Sequence, residues 1–259
     1  MWYFEAGNHL VYGVEDVTED SMVVGDILEI LNRISPFELQ ESWDNSSLQV
    51  GSKSSEISQV VLSIDIDLDM IQEYQKNTLF ILHHPIIFGK LESLNFDHYP
   101  QKLLRELILK NHSVIAMHTN FDKTHLNRYV FEKILGFEGE CKDFICQAKI
   151  SLSMDELKVR LSKAFGENLK VINPKDSIKS IALTTGAGGS FIGRVDADCF
   201  LSGDIKYHDA MKALALDLMV VDVGHFESER YFGEALFEEL KSLDISVIIS
   251  QSKKPFSKL

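Results

Sequence analysis

Histidines and carboxylates placed directly after short apolar runs are the residues of this chain best suited to chemistry. His83, His84 and Pro85 follow the run Thr78 to Leu82. His118, Thr119, Asn120, Phe121 and Asp122 follow Ser113 to Met117, and Gly224 to Glu229 follow Leu218 to Val223. Adjacent side chains of a regular strand face opposite ways, but at a strand's end, with Pro85 bending the exit, His83 and His84 can turn toward one cleft. Imidazole is the commonest metal-ligating side chain, so the pair reads as a ligand pair. Asp122 offers an oxygen ligand, with Asn120 and His118 behind it to orient ligands or water. The competing reading makes Asp122 a cap for a following helix. His225 and Glu229 lie four apart, on one face of any helix that starts there. A charged first helical turn is the competing reading. Taken together, His83, His84, Asp122, His225 and Glu229 supply enough ligands for two divalent ions, with a carboxylate such as Glu229 contacting both. Paired ions about 3.5–4 Å apart generate a hydroxide nucleophile and stabilise developing negative charge. Nitrogen and oxygen donors without thiolate suit Zn, Mn or Fe and do not choose among them.

Two further stretches suit a substrate. The glycine-rich segment Thr184 to Ser190 can present backbone N–H groups of Gly186, Gly188, Gly189 and Ser190 to an anion. It lacks the Gly-Lys-Ser/Thr ending of a Walker loop, and a plain tight turn competes with phosphate binding. In Ser202 to Asp209, Asp204 suits a helix cap and Lys206 or His208 can face a cleft, against a default of solvated surface charge.

These residues need a scaffold, and the apolar pattern describes one. Helical spacing runs from Val23 to Ile34 and stops before Pro36; further helices are expected at 67–76, 101–110, 126–135, 154–165, 206–215 and 227–240. Strands are expected at 59–64, 78–82, 113–117, 144–150, 169–172, 180–185, 199–202, 218–223 and 245–249. Strands alternating with helices predict an α/β fold with mostly parallel sheets flanked by helices, in two similar-sized halves around a dinuclear metal cleft. In open sheets of this kind ligands collect beyond the C-terminal strand ends, where the clusters fall. The expected divisions are an extension at 1–21 without assigned chemistry, a half at 22–140 and a half at 141–259, with the boundary near 136–143.

Composition narrows the partners. The chain has 259 residues, 26 basic against 39 acidic side chains and a net charge of −13. Such an acidic balance disfavours nucleic acid, and no apolar run approaches the roughly 20 residues of a membrane span. Cys141, Cys146 and Cys199 form no metal knuckle or disulfide framework and are expected as small buried thiols. With no secretory signal pattern at the start, a reducing cytoplasm fits.

The motifs also resemble a known pattern. Trp43-Asp44-Asn45, Leu48 to Gly51, the His83-His84-Pro85 triplet, His118 to Asp122, the Gly186 to Ser190 loop, Ser202 to Ala210 and Gly224 to Glu229 occur in the order of the GTP cyclohydrolase I type 2 family, also called the NIF-three-like dinuclear-metal proteins. The likeness covers about Val23 onward. It implies the same five metal ligands, with Glu229 shared by both ions, and a toroidal homohexamer with its metal sites facing an internal cavity. The chain resembles the short form, without a large inserted middle domain. Ser46 and Ser47 depart from a frequent Val-Gly, and Phe226 from a frequent Tyr or His. The implied reaction is conversion of GTP to dihydroneopterin triphosphate, by attack of metal-activated hydroxide on the purine ring. His118 is the candidate proton shuttle. The alternatives are a two-metal hydrolase of another small substrate, a phosphoester or cyclic amide, and a non-catalytic metal-binding assembly protein. Two divalent ions would place about +4 of charge in one cleft, enough to attract an anion to an acidic protein.

Overall fold

A computed structural model describes residues 2–6, 9–13, 22–242, 246–250 and 252–257. The chain begins with strands β1 (Trp2–Ala6) and β2 (His9–Gly13), then helix α1 (Val24–Ile34), β3 (Ser47–Val50), β4 (Gln59–Ser63), α2 (Leu68–Glu73), β5 (Thr78–Leu82), α3 (Gln101–Leu109), β6 (Ser113–Ala116) and the single turn α4 (Thr119–Phe121). Wide π-helical turns follow at Asp122–Leu126 and Tyr129–Ile134, then β7 (Glu140–Lys142), β8 (Ile145–Ser153), α5 (Met154–Phe165), β9 (Lys170–Ile172), β10 (Ser177–Ala187), β11 (Cys199–Gly203), α6 (Tyr207–Ala215), β12 (Met219–Asp222) and α7 (His225–Glu229). Helix α8 (Phe232–Leu240) and β13 (Val247–Ser250) come last.

These elements form two compact units. One takes the residues up to Phe121 together with those from Phe232 onward; the other is Asp122–Tyr231. In the first, seven strands run in the order β1-β2-β13-β4-β5-β6-β3. Strands β13, β4, β5 and β6 pair in parallel, and antiparallel strands close both edges. The second unit has six strands in the order β7-β8-β10-β11-β12-β9, with a parallel centre of β10, β11 and β12. This is a mixed α/β fold of two sheets flanked by helices. Parallel strands covered on both faces should be continuously apolar, and β5 and β11 are buried along their whole length. Phe80 anchors the core beside Tyr74, Leu103, Leu104 and Leu107 in the first unit, and Phe200 packs with Ile192, Leu218 and Val220 in the second.

Several elements differ from the sequence expectation. The division falls at Phe121/Asp122 and Tyr231/Phe232 rather than near 136–143, because β13 returns to pair with β4. The extension at 1–21 contributes β1 and β2 to the first sheet; residues 1, 7, 8 and 14–21 lie outside the described residues. The helix expected over 227–240 is two helices. Arg230 and Tyr231 turn aside between them to donate to the Ala164 carbonyl, one of the open carbonyls in the last turn of α5. The expected free thiols Cys141 and Cys146 are disulfide-bonded, since they are direct partners in the β7–β8 hairpin with Cα atoms 4.0 Å apart. Cys199 is free and buried, and burial pushes its thiol up to about 12.

Candidate metal centre

In the first unit the parallel ladder carries the predicted ligand residues past the strand ends. The N–H groups of His83 and His84 donate to the Ser63 and Ile64 carbonyls, and the Met117 N–H to the Leu82 carbonyl. His83, His84 and His118 therefore leave neighbouring strands at the same level. Their ring centroids are 5.1 Å (His83–His84), 5.2 Å (His83–His118) and 5.6 Å (His84–His118) apart. One ring nitrogen from each lies within 4.8 Å of those of the other two.

The hydrogen bonds fix which nitrogen can ligate. His83 Nδ1 donates to the Met117 carbonyl at 2.9 Å, His84 Nδ1 to Asp65 Oδ1 at 2.9 Å and His118 Nδ1 to Asp44 Oδ1 at 2.8 Å. With Nδ1 protonated, the lone pair of each neutral ring is on Nε2, and an acceptor behind the ring both orients it and raises its basicity. Asp44 also accepts the N–H of Thr119 at 3.0 Å and its hydroxyl at shorter range. Burial alone would raise the Asp44 carboxyl, but the hydrogen bonds from His118 and Thr119 outweigh it and hold the group well below the usual carboxylate range. The departures at Ser46 and Ser47 from the family pattern fit locally. Ser46 Oγ accepts the His118 N–H and donates to Asp44 Oδ2, and Ser47 has a φ of +97°, a conformation that explains the frequent glycine.

The second unit carries the remaining predicted ligands. Asp122 is buried at the start of a π-helical turn, a local widening often found at functional sites. Asn127 donates to its backbone carbonyl and accepts from the N–H and hydroxyl of Thr185, which ties that turn to β10. His225 and Glu229 face each other along α7, with Nε2 3.0 Å from Oε2. His225 Nδ1 donates to Asp204 Oδ2 at 2.8 Å, so this imidazole too has a carboxylate behind it. Glu229 is buried. Its carboxylate fills the space over Gly186, where an added Cβ would lie 2.1 Å from Oε1, and Gly186 itself has a φ of +64°.

The predicted substrate residues are all in this unit. The Gly186 N–H donates to Ser228 Oγ and the Gly188 N–H to Ser202 Oγ, so both are engaged internally. Gly189 and Ser190 begin a short 3-10 turn, with Ser190 exposed, and Lys206 is exposed at the start of α6. Asp65 was not singled out by the sequence, and Asp44 and Asp204 were singled out for other reasons. The signal for Asp44 was its place in the Trp43-Asp44-Asn45 motif; Asp204 was read as a helix cap, a position Lys206 takes instead, and Asp65 had no signal beyond following a strand.

Each unit taken by itself presents nitrogen donors in the ligating tautomer, joined in the second by buried carboxylates, and donors of these types suit borderline divalent ions. The fold is that of several solved proteins. It matches a Staphylococcus aureus hypothetical protein with a TM-score of 0.81 at 23% identity over 93% of this chain and 100% of that one. It also matches reduced HcgD from Methanocaldococcus jannaschii with a TM-score of 0.78 at 26% identity over 89% and 98%. The family model described as Duf34/NIF3 (NGG1p interacting factor 3) matches residues 22–255, and the chain belongs to this family. It is 48% identical to a Campylobacter jejuni protein named GTP cyclohydrolase 1 type 2 homolog, over 91% of this chain and 99% of that one. It is 43% identical to a Helicobacter pylori protein named GTP cyclohydrolase 1 type 2, over 90% and 98%.

Proposed function

We propose that the protein is a dinuclear-metal-dependent hydrolase that converts GTP to dihydroneopterin triphosphate. His83, His84, Asp122, His225 and Glu229 are the ligands in this reading, for two ions of Zn, Mn or Fe. The observation that carries it is the backing of the imidazoles by Met117, Asp65 and Asp204, which leaves Nε2 of each ring as the atom that would hold a cation. The names of the relatives supply the substrate. Bound ions would supply Lewis acidity and water activation at neutral pH. The chain's own residues do the rest. Glu229, held over Gly186, presents its two oxygens as acceptors. His118 accepts and returns a proton at Nε2 while Asp44 stabilises the imidazolium that forms. The N–H groups of Gly189 and Ser190, with Lys206, hold the triphosphate.

The test is incubation of metal-reconstituted protein with GTP, following fluorescence of the oxidised pterin. Product with at least one of Zn, Mn and Fe supports the reading, and none with any of them overturns it. His118→Ala is expected to lower turnover by about 100-fold or more while metal content stays unchanged. A second reading, hydrolysis of a phosphoester or cyclic amide, is favoured by the internal engagement of the Gly186 and Gly188 N–H groups, which leaves fewer donors for a triphosphate. A panel of such substrates on the same protein separates the two. The proposed assembly is a homohexamer, checked by light scattering, in a cytoplasmic protein; among the described residues no helix is long and apolar enough to cross a membrane.

A further inference from the structure

Two large aromatic rings flank His118. Trp43 and Phe88 are 56% and 55% exposed, although each carries enough apolar area to favour burial. Their centroids are 5.9 Å apart and lie 6.1 Å and 6.2 Å from the His118 ring. Hydrogen bonds hold both rings' backbones in place. Trp43 precedes Asp44, whose carboxylate is bound by His118 and Thr119. Phe88 follows Ile87, whose N–H donates to Gln49 Oε1 at 3.1 Å and whose carbonyl accepts from Asn45 Nδ2 at 2.6 Å. Gln49 Nε2 in turn donates to the Asn45 carbonyl at 2.6 Å. The two ring-bearing segments are thus tied to each other, and rings ordered before binding lose little freedom when a ligand arrives.

We infer that Trp43 and Phe88 form a stacking platform for the planar heterocycle of the substrate, a purine base, and place it beside His118. This rests on the GTP reading above. The ring planes are inclined by 48°, so a base stacked in offset geometry on one ring lies beside the second aromatic surface. The platform recognises a flat π-face and makes no demand on the phosphates. The rings are therefore specificity-determining positions separate from the metal ligands.

The chain has two tryptophans, Trp2 and Trp43, so Trp2→Phe leaves Trp43 as the only one. In that background, metal-reconstituted protein is titrated with guanosine, GTP and inorganic triphosphate. Guanosine and GTP should quench the Trp43 emission and inorganic triphosphate should not. In the wild-type chain, Trp43→Leu and Phe88→Leu should each weaken guanosine binding roughly tenfold by calorimetry, with metal content unchanged. Trp43→Phe and Phe88→Tyr, which keep a ring, should retain most of the affinity. GTP binding without quenching, and with full affinity in the leucine variants, would overturn the platform and leave the GTP reading standing. Quenching by guanosine without pterin product from GTP would support the platform and remove the cyclohydrolase reading. A change in sedimentation in the leucine variants with guanosine affinity unaltered would assign the rings to contact with a second copy and overturn the proposal.

Discussion

Behind His84, His118 and His225 stands a carboxylate that sets the tautomer and aims the ring, and Asp44 does this for His118 while accepting from Thr119 and Ser46 as well. Because its folded pKa is depressed, its stabilising contribution is complete above the unfolded value near 3.8 and is lost as pH falls below it. Asp44→Asn should cost about 2 kcal/mol at pH 7, the scale of a charge-assisted hydrogen bond. The deficit, read from urea unfolding, should shrink below about pH 4, where wild type loses the same contribution. Gly186 matters through what it leaves room for. Gly186→Ala must displace the Glu229 carboxylate and adopt a strained φ, so metal affinity should fall more than tenfold by competition with a chelator, the scale of a disturbed ligand.

At the level of elements, the parallel strands β4, β5, β6, β11 and β12 were legible as β-branched apolar runs with the histidine motifs at their ends. Helix α5 was legible to the residue, and in the structure Ser153 and Glu156 form a reciprocal cap that fixes its start. Strand β3 was not expected from the sequence, because it is only half-buried and opens at the positive φ of Ser47. The π-helical turns at Asp122 carry the same apolar spacing as an ordinary helix over their few residues, so periodicity read them as one. The Cys141–Cys146 pairing depended on a hairpin register that spacing alone does not fix. The carboxylates behind the histidines were hidden for a similar reason: Asp65 lies 19 residues from His84 and Asp44 lies 74 from His118, so only the fold joins them. His112 shows how such joins hold elements. It accepts from the Thr78 N–H at the start of β5 and donates to the Ile71 carbonyl of α2. Burial keeps its pKa below 6.5, against the upward pull of the Ile71 bond. Its contribution to stability is therefore full above pH 6.5 and declines as pH falls toward the lowered folded value. Urea midpoints at pH 7.5 and 5.5 should differ less in His112→Gln than in wild type.

For the whole molecule, a net charge of −13 and the proposed binding of a triphosphate are compatible only if positive charge is concentrated at one place. Two divalent ions would supply about +4 there, which makes metal occupancy the condition for the proposed binding of the triphosphate. The five proposed ligands stood out in the sequence because they sit in three short motifs, each after a strand. What the sequence could not show was the hydrogen bonding that leaves Nε2 of the imidazoles as the donor atom. The most direct measurement is metal content by plasma mass spectrometry, after reconstitution and dialysis, in wild type and Glu229→Gln. The account predicts two equivalents of a divalent ion per chain in wild type and no more than one in the variant. Retention of no ion by wild type, or of both ions by Glu229→Gln, would contradict it.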